Sequence, residues 1–171
     1  IRFGTDGWRA VIAESFTFDN VALVSQAAAD YWLANPVSGT KREVVIGYDR
    51  RFLSDRFACV AAEVFAGNDF HVILTPAPVP TPSVSFAVKQ LRAVGGVIIT
   101  ASHNPPHFNG YKLKSHYGGP AMPETCVAVE SFLNRNPVRR VACDVALKSR
   151  RILVQDVKPA HFSAIKRLVD F

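Results

Sequence analysis

Apolar residues recur along this chain with two periods, and the two periods take turns. Over 18–34 (FDNVALVSQAAADYWLA) they fall at helical spacing behind Thr17, whose hydroxyl suits an N-cap. Residues 43–49 (EVVIGYD) read as a short buried strand ending in a polar turn. Helical spacing returns over 54–69, with Ser54 as N-cap and Gly67-Asn68 as the stop. HVILT (71–75) is a second strand. Residues 76–82 then hold four prolines, which neither donate to a sheet nor continue a helix, so they form a rigid extended connector. A helix over 83–93 and a strand over 95–101 follow. Asn109-Gly110 marks a turn, 111–114 a short strand, and 122–136 a helix with Pro123 in its first turn. Strands alternating with helices imply an α/β sandwich whose sheet is at least partly parallel. From Val141 the alternation lapses. Residues 159–170 have the pattern of a short amphipathic helix, and its Phe162, Ile165, Leu168 and Val169 need a partner.

Composition narrows the class. The chain has 171 residues, enough for one domain with a core and a short appendage, and 49% hydrophobic against 20% charged residues is globular usage. No apolar run reaches the length of a membrane span. The chain begins IRFGTDG, with neither an initiator Met nor a signal-peptide pattern. Cys59, Cys126 and Cys143 lie far apart with no C-x-x-C pair, which argues against a zinc knuckle or a disulfide framework and fits a reducing compartment.

The net charge is +6, with basic clusters at Arg50-Arg51, Arg139-Arg140, 148–151 and Lys166-Arg167. Such a balance suits an anionic ligand, a nucleic acid or a phosphorylated small molecule, although most of these charges are ordinary solvated surface. Aromatic residues do not interleave with the clusters as a base-stacking platform would require, so nucleic acid is not expected as a partner.

The densest chemistry is TASHNPPHFNGYK (100–112), directly after the apolar run VGGVIIT. In open α/β sheets ligands gather beyond the carboxyl ends of the strands, where Ser102 falls. A Ser–His hydrolase is disfavoured: neighbours on an extended segment point to opposite sides, so His103 is badly placed as base for Ser102, and G-x-S-x-G is missing. A metal site within the loop is disfavoured too, because Pro105 and Pro106 forbid the helix that would align His103 with His107. Two readings remain: phosphoryl transfer through Ser102, with Lys112, Lys114 and Arg9 to neutralise charge, and a purely structural polar loop.

The same loop resembles the phosphoserine loop of the α-D-phosphohexomutases, the phosphoglucomutase and phosphomannomutase superfamily. FGTDGWR (3–9) resembles that family's opening motif, GYDRRFLSDRFA (47–58) its G-x-D-x-R segment, and PAPVPTPSVSFAV its proline-rich connector. Four motifs in order over about residues 1–135 make the match specific. The resemblance implies a three-layer α/β/α sandwich with a mixed, partly parallel sheet, the first of four domains. Residues 1–140 would be that domain, and 141–171 the linker and first helix of the second. It implies a cytoplasmic phosphoglucomutase or phosphomannomutase that interconverts hexose 1-phosphate and hexose 6-phosphate. Ser102 would carry the phosphate, Mg²⁺ would be bound by that phosphate and by an acidic loop in a later domain, and glucose 1,6-bisphosphate would be the activator. The partners would be the phosphorylated hexose and the remaining domains of the polypeptide, and this stretch alone would be inactive.

By position in the motifs, Lys112 and His103 are alternative general acid/bases, while Arg9 orients Lys112 or stabilises the transferred phosphate. Thr5, Arg9, Ser102, His103 and Lys112 would bind substrate or phosphate. Thr5 and Asp6 would brace the turn carrying Arg9, Asn104 would shape the loop by bonding backbone groups, and Arg51 would support the site without taking part in the chemistry. Thr100 reads as the end of the strand. GVIITASHNPPHFNGYK is closer to the glucose/mannose type of loop than to the G-I-S-A-S-H-N form of phosphoglucosamine mutases. A phosphoglucosamine mutase domain and a non-catalytic phosphosugar-binding module remain alternatives.

Overall fold

The computed structural model describes residues 1–4 and 7–169. Strand β1 is Trp8–Val11, helix α1 Phe18–Ala34, strand β2 Lys41–Tyr48, helix α2 Ser54–Gly67 and strand β3 His71–Leu74. Helix α3 is Thr81–Leu91, strand β4 Ala93–Ile99, strand β5 Phe108–Ser115 and helix α4 Pro123–Glu130. The remainder contributes α5 Cys143–Lys148, β6 Ile152–Val154 and α6 Lys158–Lys166.

The strands form one sheet in the order β1-β5-β4-β2-β3-β6. The pairs β4–β2, β2–β3 and β3–β6 are parallel, while β1–β5 and β5–β4 are antiparallel. Val44, Ile46, Val72, Val97 and Ile99 pack beneath α1 and α2, whereas Val45, Ile73 and Ile98 meet α3 on the other face. The expected three-layer sandwich with a mixed sheet is therefore present. All seven residues of β4 are buried, because a central strand covered on both faces has no wet side to alternate toward.

Helix α1 starts and ends where its pattern predicts. Thr17 is the N-cap, and its Oγ1 accepts from the Asn20 N–H at 3.2 Å. Thr17→Ala is expected to lower unfolding stability by about 1 kcal/mol, read as a shift of the urea midpoint at unchanged slope. An unshifted midpoint would refute the cap's contribution.

Three local expectations fail. Ser54 does not cap α2. Leu53 occupies that position with φ 59°, and the Ser54 hydroxyl is spent on Asp49 and Asn109. Asn109-Gly110 is no turn but lies inside β5, paired with Ala10 and Arg9. A Cβ on Gly110 would sit 2.5 Å from the Thr100 carbonyl oxygen, so this glycine allows close approach between segments. The helix expected over 122–136 stops at Glu130, and turns take over.

The tail is more ordered than its pattern suggests. β6 extends the sheet beside β3, α5 packs on α2 and α6 on α3. A three-residue strand between Arg151 and Gln155 is too short to display a period. Helix α6 spans Lys158–Lys166, short of the expected 159–170, and Asp170 lies outside the described residues. Among the described residues no helix is long and apolar enough to cross a membrane.

Candidate active site

β2 and β4 run parallel, so their carboxyl ends release two loops side by side, 49–53 and 100–107. The Asp49 N–H donates to the Ile99 carbonyl at 3.0 Å and ties the loops at their roots. Beyond lies an open cavity of about 470 Å³ lined by Asp49, Arg50, Arg51, Phe52, Ser102, Asn104 and Pro106. α2 begins at its rim, so the positive end of that helix adds to the field of the arginines.

Ser102 is exposed at the loop tip with φ 58°, in the left-handed region that disfavours any residue bearing a Cβ by about 1–2 kcal/mol. Its N–H donates to Thr100 Oγ1 at 3.0 Å, so Thr100 does more than end the strand. The left-handed turn also overturns the extended-segment argument against His103. Ser102 Oγ and His103 Nδ1 lie on the same side, 3.5 Å apart, at the outer limit of a hydrogen bond.

Arg51 holds the loop. Its Nη1 donates to the carbonyls of Pro105 at 2.8 Å and Phe108 at 2.9 Å, and its Nη2 to those of Ser102 at 2.9 Å and Asn104 at 2.6 Å. Its Nε lies 3.4 Å from Asp49 Oδ2, and its own N–H donates to Asp49 Oδ1 at 2.8 Å. One planar guanidinium thus gathers four carbonyls, a geometry the point charge of a lysine cannot copy. From Asp49 the network continues: Ser54 Oγ donates to Asp49 Oδ1 at 3.0 Å, and Asn109 Nδ2 donates to Ser54 Oγ at 2.9 Å. Sequence reasoning placed Arg51 as a support and missed Asp49, Ser54 and Asn109. The D-x-R spacing was the one available signal, since it lets a carboxylate brace the guanidinium two residues on.

Arg9 and Lys112 come from the other side. Trp8 is buried against Phe16, with ring centroids 4.8 Å apart, and strand alternation then turns Arg9 to the opposite face. Arg9 pairs with Gly110, and Lys112 lies two residues on along β5, so both share that face. Arg9 Nη1 donates to Asn104 Oδ1 at 2.7 Å, so Asn104 meets a guanidinium rather than the backbone expected of it. Lys112 is 6% exposed, and its stem covers Gly7, where an added Cβ would sit 2.9 Å from Lys112 Cγ. Gly7 also has φ 99°, so a side chain is excluded there on both counts. The structure thus brings Ser102, His103 and Arg9 to one loop through Asn104, with Lys112 on the strand beside it. Thr5 and Asp6 lie outside the described residues. Among the described residues no three His, Cys, Asp or Glu side chains group as a metal site.

An exposed serine in a left-handed turn thus sits on a clamped loop of an α/β domain, at the carboxyl ends of parallel strands where such sheets gather ligands, with Arg50 and Arg51 lining the cavity before it. Residues 1–139 match the family "Phosphoglucomutase/phosphomannomutase, alpha/beta/alpha domain I", and the chain belongs to that family. It is 40% identical over 139 residues to a probable phosphoribomutase of Schizosaccharomyces pombe, covering 80% of this chain and 24% of that protein. It is 36% identical over 140 residues to a phosphoglucomutase of Staphylococcus saprophyticus, covering 78% of this chain and 24% of the relative. The crystal structure of a putative phosphomannomutase from Thermus thermophilus superposes with a TM-score of 0.86 at 38% identity, covering 99% of this chain and 36% of that one. The chain thus spans about a quarter of the length of these two curated relatives.

Proposed function

We propose that this chain is the phosphoserine-bearing first domain of a phosphohexomutase that interconverts hexose 1-phosphate and hexose 6-phosphate. The observation carrying this reading is the Ser102 hydroxyl, exposed at φ 58° on a loop whose four carbonyls are tied back by Arg51. Tying the carbonyls away removes acceptor dipoles from the space in front of the serine and leaves it to cations. A dianionic phosphate suits that field.

The chemistry is an exchange. A hydroxyl oxygen of the bound sugar monophosphate attacks phosphorus and gives up its proton to a base, Lys112 or His103, as the bond from phosphorus to Ser102 Oγ breaks, and a sugar bisphosphate results. The departing serine oxygen takes up a proton, and His103, 3.5 Å from Oγ, is the nearest carrier. Arg9 and Lys112 balance the charge of the moving group from the neighbouring face. The bisphosphate turns around and returns its other phosphate to Ser102 by the reverse steps. Free glucose 1,6-bisphosphate primes the serine in the same way.

Magnesium does not fit this chain alone. Among the described residues Asp49 is the one carboxylate lining the cavity, and both its oxygens are engaged by Arg51 and Ser54. A phosphate on Ser102 would be this chain's ligand, the others coming from a further domain. Residues 1–140 constitute the first domain in this reading, and 141–171 lead toward the second while β6, α5 and α6 still pack on the first; the family match over 1–139 supports the boundary. A cytoplasmic location belongs to the same proposal.

The test is mutase activity of the full-length parent on glucose 1-phosphate, mannose 1-phosphate and glucosamine 1-phosphate, with Mg²⁺ and a trace of glucose 1,6-bisphosphate. Glucose 1-phosphate is expected to turn over fastest, with phosphate mapped to the Ser102 peptide, and residues 1–171 alone are expected to be inactive. Absence of turnover and of phosphoserine in the folded parent would leave the binding-module reading in its place.

A further inference from the structure

Two of the three cysteines meet away from the serine loop. Cys59 lies on α2, one helical turn before Glu63. Cys143 opens α5, and its N–H donates to Glu63 Oε1 at 3.0 Å, which sets the start of α5 over the face of α2 that carries Cys59. The Val141 N–H donates to the Glu63 carbonyl at 3.1 Å, and Arg140 pairs with the Glu63 carboxylate. The Cys143 thiol is near enough to the Cys59 thiol to raise it. Beside them a cavity of about 300 Å³ is lined by Cys59, Val60, Phe18, Glu63 and the cations Arg56 and Arg140. Cys126 is buried on α4 and has no place in this cluster.

We propose that Cys59 and Cys143 are a modification site, an oxidisable thiol pair that a small anionic disulfide of the glutathione type converts to a disulfide stapling α5 to α2. The inference stands apart from the serine chemistry. Two of its observations are independent: the thiol contact, and the Glu63 contacts that hold the two helix positions in register. Half-exposed Cys143 meets the oxidant from solvent, and Arg56 on the cavity wall beside Cys59 suits one of its carboxylates, Arg140 being paired with Glu63. In the balanced reaction the Cys143 thiolate attacks one sulfur of the oxidant and expels one thiol. Cys59 then attacks the Cys143 sulfur and expels the second. Two electrons pass to the oxidant, and both protein protons are released or carried off by the leaving thiols.

The order of attack follows from the surroundings of Cys59. Burial, the neighbouring Cys143 thiol and the Glu63 carboxylate push its thiol up to about 12, with Arg56 opposing. Modification of Cys143 removes its share of that rise, but burial, the largest cause, and Glu63 persist, so Cys59 still keeps its proton at neutral pH and is the slow second attacker. In a reducing compartment such a bond closes only under oxidative load.

The 171-residue chain is equilibrated with glutathione/glutathione disulfide buffers, quenched with an alkylating agent and read by intact mass and peptide mapping. The expected product is lighter by two hydrogens, links the Cys59 and Cys143 peptides, leaves the Cys126 peptide uncrosslinked and reverts with dithiothreitol. Its closure is expected to quicken about tenfold per pH unit between pH 7 and 9. Cys59→Ser is expected to stop at a persistent glutathione adduct on Cys143. Lasting adducts on both cysteines of the wild-type chain, a crosslink through Cys126 or no crosslink at any ratio would overturn the proposal. The wild-type peptide map decides even if Cys59→Ser fails to fold.

Discussion

Ser102→Ala in the full-length parent is expected to lose at least about a thousandfold in mutase turnover while its unfolding midpoint stays almost unchanged. The two halves of that expectation have separate causes. Removing the hydroxyl removes the atom that would carry the phosphate, and among the described residues none offers a second oxygen at the same strained tip, so the loss belongs to the nucleophile class. Stability should hardly move, because the Ser102 side chain is exposed and its one hydrogen-bonding contact among the described residues is the 3.5 Å approach to His103. Alanine meets much the same left-handed penalty at φ 58° that serine already bears, so a change within about 0.5 kcal/mol is expected. Steady-state assay beside urea unfolding checks both. Full activity in the alanine variant would sink the phosphoserine mechanism. A large drop in stability would show that the loop, rather than its hydroxyl, had been damaged.

Arg51→Met keeps the apolar stem and removes the clamp. Four loop carbonyls and the Asp49 carboxylate would lose a charged partner at once. The carbonyls can turn to water, so the cost to stability is moderate, about 1–3 kcal/mol. The cost to catalysis should be larger. A displacement of about 1 Å at a reacting atom is worth roughly a hundredfold, and an unclamped loop loses that precision, so kcat should fall about 100- to 1000-fold. Arg51→Lys should recover little, since an ammonium cannot serve four carbonyls in one plane. Hydrogen exchange over residues 101–110 separates this role from a general weakening, with faster exchange expected in the loop and unchanged exchange in α1. Wild-type kcat in a folded Arg51→Met protein would remove the clamp from the mechanism.

Helices α1 to α3 and the central strands were legible because each carries its own period. The apolar faces of α1 and α2 and the continuous run of β4 are statements about residues near one another in sequence. The edges were not legible. WRAV at 8–11 is too short to announce a strand, and it becomes one by pairing with 108–111 about a hundred residues away. β6 is a strand for the same reason, through β3. Asn109-Gly110 carries the local signature of a turn, yet a neighbouring backbone that leaves no room for a Cβ keeps it inside β5.

The serine loop divides along the same line. The residue types in TASHNPPHFNGYK, at the end of an apolar run, pointed to Ser102 and its chemistry from local sequence alone. The left-handed turn at Ser102, the approach of His103 and the reach of Arg51 across to four carbonyls were decided by the tertiary structure. Those contacts join segments about fifty residues apart, held together because β2 and β4 lie side by side in one sheet. Hydrophobic period and side-chain type belong to the chain itself, while strand pairing and the convergence of loops belong to the sheet as a whole.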